Sequence, residues 1–211
     1  MDIIALAILG ILFGIQLFIQ KSSDGHRRTF GILAFVFAVL LIFGWAGYLS
    51  WQQYVSWKGG EFTKFFLPPY QDFGYFIFFV RTRLFNPYIL SLFFGLLSFF
   101  LAKVLNKKYQ ERFFEPIEPY FMAISIFLVG HPNWIFYLIF LLIANLTGNS
   151  YLTHKFYRSD KTNTTDRTYT PDKSDAPYRI SFYYYWLPLA IFTILISKWL
   201  SVLPWWKVLK I

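Results

Sequence analysis

Apolar and polar residues come in blocks along this chain, and the blocks have helix length rather than strand length. Ile3 to Gln20 is one apolar run, interrupted by Gln16 and followed by Lys21-Ser22-Ser23-Asp24-Gly25-His26-Arg27-Arg28. Phe30 to Leu49 is a second, and Gly25 turns the chain between the two, giving a helical hairpin. Asn86 to Leu105 is a third, closed by Lys103, Lys107 and Lys108; Ile180 to Leu200 is the last, followed by Pro204-Trp205-Trp206-Lys207. Runs of about 20 apolar residues at about 1.5 Å per residue match a hydrocarbon core of about 30 Å.

Three stretches break this rhythm. Residues 50–85 mix Trp51, Tyr54, Trp57 and Pro68-Pro69-Tyr70 with charge. Trp and Tyr favour the headgroup level because their rings are apolar and their tips polar, so this reads as an interfacial loop with short surface helices. Pro119 to Leu146 is apolar for 28 residues, about 42 Å as a helix. Gly130-His131-Pro132-Asn133 falls in its middle. Proline removes a backbone donor, so the segment is either one kinked helix or two short ones meeting at a polar break. Residues 147–179 carry charges of both signs in a Thr-rich tract and read as a polar flexible loop. The expectation is therefore an all-α polytopic transmembrane helical bundle of five or six spans, a single integral membrane domain over residues 1–211.

Composition sharpens this. The chain is 56% hydrophobic and 15% charged, against about 25% charged for a soluble domain. Twenty Lys and Arg face 11 Asp and Glu. The basic residues lie in gaps between apolar runs, where cytoplasmic loops and phospholipid headgroups explain them; no nucleic-acid partner is expected. Zero cysteines exclude disulfides and a thiol nucleophile. The basic cluster follows the first run instead of preceding it, so that run reads as a retained helix, not a signal peptide. With the N-terminus outside and five spans, basic residues divide evenly, ten inside and ten outside; with six spans, thirteen lie inside.

Candidate chemistry is sparse. No phosphate loop, hydrolase elbow or metal-ligand cluster occurs, and no cofactor or metal is expected. His131 and Asn133 sit deep in an apolar run, where polar groups are expensive unless paired or hydrated. They serve either a polar site or the backbone groups that Pro132 frees. Arg81 and Arg83 precede Asn86-Pro87-Tyr88 and suit lipid phosphate or surface anchoring. Glu118 suits a helix start.

The order of these elements resembles prolipoprotein diacylglyceryl transferase, a bacterial membrane enzyme. It is carried by the basic hairpin turn, by Gly44-Trp45-Ala46-Gly47-Tyr48 ending the second helix, by Asn86-Pro87-Tyr88 opening the next, and by Gly130-His131-Pro132-Asn133-Trp134. Trp45 stands where the family carries arginine, and the arginine of its longer signature has no counterpart at His131. The likeness covers roughly residues 1–135. It implies an inner-membrane protein acting on phosphatidylglycerol and a prolipoprotein, with or without transfer activity. It also implies His131, Asn133 and Asn86 in the catalytic positions and Trp45, Tyr48, Arg81 and Arg83 in the substrate-binding ones. A shorter likeness, Glu118-Pro119-Tyr120-Phe121-Met122-Ala123, is to prepilin peptidases. A non-enzymatic membrane scaffold is the third reading.

Overall fold

The computed structural model describes residues 1–19, 23–109, 114–163 and 182–202, with backbone alone for 149–163. The described residues are mostly helical, without strands: α1 (Asp2–Ile19), α2 (Asp24–Gly59), α3 (Phe73–Val80), α4 (Asn86–Lys108), α5 (Glu118–Val129), α6 (Asn133–Asn163) and α7 (Trp186–Leu200). Lys21, Arg112, residues 164–179 of the expected polar loop and the Pro204–Lys207 tail lie outside them.

On α2 and α4 small side chains face inward and large ones outward. Along α2, Ala34, Ala38, Ile42 and Ala46 recur every four residues and are buried, while Leu33, Phe37 and Leu40 are exposed. Along α4, Ser91, Gly95 and Ala102 are buried, and Phe93, Phe100 and Leu101 are exposed. Water would penalise that order. Lipid tails do not, because they are as apolar as leucine, and helix association there depends on close approach at small residues. The stretches Asp2–Ile19, Gly25–Gly59 and Phe73–Lys108 are long and apolar enough to cross a membrane.

The centre of the bundle is α5, whose twelve residues are all buried against α4, α7, α2, α6 and α1. Two glycines admit it. A Cβ on Gly95 would meet the Ala123 carbonyl at 2.9 Å, and one on Gly31 would meet the Tyr120 ring at 2.9 Å. α4 and α5 run antiparallel: the His131 amide donates to the Pro87 carbonyl at 3.3 Å, and Phe99 packs on Tyr120.

After α5 the chain reverses. Ser125 Oγ and Tyr137 OH both donate to the Trp186 carbonyl at 3.1 Å. These residues lie six before and six after His131; a straight helix would hold them about 18 Å apart. Gly130, at φ +74° and ψ 162°, supplies a conformation that L side chains rarely adopt. Of the two possibilities left by the sequence, two helices meeting at a break is the one realised, although the second, α6, runs for 31 residues.

At one end of the bundle Arg27 approaches Glu115 at 3.9 Å. There the Asn106 amide exchanges two hydrogen bonds with the backbone of Phe114. At the same end the Gln16 side chain donates to the Tyr183 carbonyl, and the Tyr183 hydroxyl donates back to the Gln16 carbonyl at 2.7 Å. Arg28, Lys103, Lys107 and Lys108 lie here too, which makes this the basic end.

Two expectations change. The stretch 50–85 is more helical than expected, and only residues 60–72 have loop and 3-10 character. No Gly or Pro interrupts α2 after Leu49 until Gly59-Gly60, so the helix runs ten residues further. The short apolar segment at Phe73–Val80 continues into α4 through one wide π-helical turn, Arg81–Phe85. Pro87 has no N–H for the Arg83 carbonyl, and the Asn86 amide instead donates five residues back, to Arg81. The two arms enclose a second core of Trp57, Leu67, Phe76 and Val80. The expected polar loop is likewise helical over its first seventeen residues, because α6 continues to Asn163.

The glycines supply a paired test. Gly95→Ala is expected to lower stability in micelles by about 1–3 kcal/mol, since it pushes α4 off the α5 backbone. Gly44→Ala, with no atom within 4 Å of the new Cβ, is expected to be neutral or to stabilise by up to about 1 kcal/mol. Thermal midpoints of the two variants check this.

Candidate functional site at the far end of the bundle

The π-turn organises the end opposite the basic one. Leu84 of the turn lines an open groove of ≈ 800 Å³ with Tyr48, Trp51, Gln52, Gln53 and Ser56 of α2. Gln52 Nε2 donates to the Tyr48 hydroxyl at 2.6 Å. Trp45 packs its ring 5.1 Å from that of Tyr48. Both are exposed aromatics. Arg81 and Arg83 project from the π-turn and are exposed; the Arg83 guanidinium lies 5.3 Å from the centre of the Phe79 ring.

On the other side of the turn, Asn86 and His131 line a second cavity of ≈ 350 Å³ with Pro87, Ile89, Leu90 and Phe93. His131 is half-buried, and its Nδ1 accepts the Trp134 indole N–H at 3.2 Å. Trp134 is itself stacked on Phe94 at 4.3 Å. The Pro87 carbonyl anchors the arrangement, taking the His131 amide and the Ser91 hydroxyl, the latter at 2.7 Å. This cavity is mostly apolar and holds no lysine or arginine in its lining.

Asn133 is placed differently. Its Nδ2 donates to the Val129 carbonyl at 3.2 Å, satisfying the last turn of α5, and its Oδ1 is buried with no hydrogen-bond partner. It closes the helix break and does not line the Asn86–His131 cavity. The other sequence-derived residues fall into three groups, Trp45 with Tyr48, Asn86 with His131, and the two arginines on the π-turn, and Asn133 stands apart from all three. Glu118 opens α5 and is fully buried; its Oε2 accepts the amide of Glu115, three residues before the helix, at 2.9 Å. Among the described residues no group of three His, Cys, Asp or Glu side chains could hold a metal.

Sequence reasoning missed Gln52 and Ser56. Their signal was present: Tyr48, Gln52 and Ser56 recur every four residues and so share one helix face. Reading residues 50–85 as loop concealed it.

Gly130→Ala is expected to cost about 1–3 kcal/mol, the strain of a left-handed backbone at a non-glycine residue. Chemical denaturation in mixed micelles checks this. Comparison of the chain with family models, curated proteins and solved structures gives no match.

Proposed function

We propose that the protein is an integral membrane protein that binds an anionic phospholipid at its far end. In this reading it is a diverged, non-transferring relative of the prolipoprotein diacylglyceryl transferases of the bacterial inner membrane. One observation carries the reading. Twenty residues separate Arg28 from Tyr48 along α2, and twenty separate Arg83 from Lys103 along the other arm. Both spacings are about 30 Å of helix, the thickness of a hydrocarbon core. With the basic end in the cytoplasmic headgroups, the groove and both arginines reach the outer headgroup layer together. Arg81 and Arg83 then offer planar donors to a phosphate. Trp45 and Trp51 suit the aromatic belt.

The reversal after α5 favours six inserted segments, with both chain ends outside. The positive-inside rule supports this, because thirteen of the 20 basic residues then belong to cytoplasmic segments. The cavity at Asn86 and His131 argues for binding without transfer. A phosphate leaving group needs fixed positive donors at the reacting centre, and that lining has none.

Titration of the purified protein with phosphatidylglycerol and phosphatidylcholine tests the proposal. Preference for the anionic lipid is expected to fall about thirtyfold in the Arg81→Gln/Arg83→Gln double variant, at about 1 kcal/mol for each basic residue near the surface. Equal binding of both lipids, or a preference unmoved by the double variant, would overturn it. Complementation of a transferase-depleted strain is expected to fail despite good expression; rescue would refute the absence of transfer.

A further inference from the structure

A separate cavity lies near the basic end, on the side of the bundle where α2, α4 and α5 meet. It encloses ≈ 230 Å³ and is lined by Ile32, Phe35, Val36, Leu96, Phe99, Tyr120 and Ala123. The cause of the hollow is visible in the sequence. Gly31 brings the Tyr120 ring against α2, and Gly95 brings α4 onto Ala123. The small residues that allow these approaches leave unfilled space between the contact points. At about 30 Å³ for a water-sized group, the cavity has room for about eight methylenes.

Its mouth is charged. Lys103 Nζ lies 4.6 Å from the centre of the Phe99 ring and 5.7 Å from that of Tyr120. Both rings line the cavity, so the ammonium sits directly at its rim. Arg28 precedes Ile32 by four residues on α2, and Lys107 follows Lys103 by four on α4, which puts each one helical turn nearer the basic end on the same face. Among the described residues Arg28, Lys103 and Lys107 have no acidic partner. The vertical distance from Phe99 to Lys103 is about 6 Å, the offset between the start of an acyl chain and the headgroup above it.

We infer that this cavity is a binding site for one anionic phospholipid of the basic-end leaflet, an acyl chain filling the hollow and the phosphate held by Lys103 with Arg28 and Lys107. Charge complementarity selects the occupant. A zwitterionic lipid brings its own cation to a rim that already holds three, and an apolar molecule leaves the rim unpaired. The site is independent of the far-end groove and does not rest on the function proposed for it.

Native mass spectrometry of the full chain, released from micelles holding phosphatidylglycerol and phosphatidylcholine in equal amounts, tests the inference. Wild-type protein is expected to retain phosphatidylglycerol here in preference to phosphatidylcholine. Lys103→Gln should reduce that retention about fivefold, the effect of one basic residue near a surface. Ile32→Trp fills the hollow from a lipid-facing position and should reduce retention tenfold or more, because each displaced methylene weakens burial by about fourfold. Leu33→Trp, on the neighbouring exposed face, controls for the added ring and should leave retention unchanged. The Arg81→Gln/Arg83→Gln variant should remove only the far-end lipid, so loss in one variant set without the other separates the two sites. Equal retention of both lipids by a protein that has lost its far-end site, or full retention by Ile32→Trp, overturns the inference. So does displacement of the lipid by glycerol phosphate alone, which lacks the chain.

Discussion

A helix of twelve residues is about 18 Å long and cannot cross a bilayer alone, and non-helical backbone at its end is tolerated at membrane depth only when protein covers it. α5 is a helix of that length, and it is completely buried. Every one of its residues is enclosed, and three backbone groups at its broken end are paired. Val129 is bonded by Asn133, Gly130 by the Trp134 amide and the His131 amide by Pro87. The rest of the bundle follows from enclosing this segment. α2 and α4 present glycine and alanine to it, α7 presents the Trp186 carbonyl to Ser125 and Tyr137, and α6 doubles back along it.

The same close packing generates both candidate binding regions. Where α2 and the α3–α4 arm run past the α5 core, they leave an open groove of mixed polarity between Tyr48 and Leu84. Where they converge on α5, glycine contacts leave an apolar hollow beneath Lys103. One region mixes Tyr48, Gln52, Gln53 and Ser56 with apolar side chains, the other is lined by hydrocarbon with lysine above it. Phospholipids have both kinds of surface, and the two regions lie near opposite ends of the long arms.

Much of this was legible in the residues. The apolar runs gave the helices and Pro132 gave the break, whereas Gly25, expected to turn the chain between the first two helices, stands in the first turn of α2. Length and periodicity could not tell a kink from a reversal, because that depends on the φ of Gly130 and on partners as remote as Trp186. The helical parts of 50–85 were hidden for a different reason. Tryptophan and tyrosine mark the membrane surface whether they stand on a loop or a helix, and Pro87 reads as a helix start although one π-turn carries the helix through it. His131 and Asn133 were legible as expensive polar groups. Only the structure separates them, His131 facing the cavity shared with Asn86, and Asn133 serving the end of α5.

The reversal at Gly130–Pro132 fixes which segments share a face, and the absence of cysteine makes it directly measurable. Single cysteines at Lys108, Thr147 and Val202, all exposed positions, can be labelled in sealed vesicles with a membrane-impermeant maleimide. The account predicts that Lys108→Cys and Thr147→Cys react from the same face and Val202→Cys from the opposite one. Reaction of Lys108→Cys and Thr147→Cys from opposite faces would contradict it, because α5 and α6 would then form one continuous crossing.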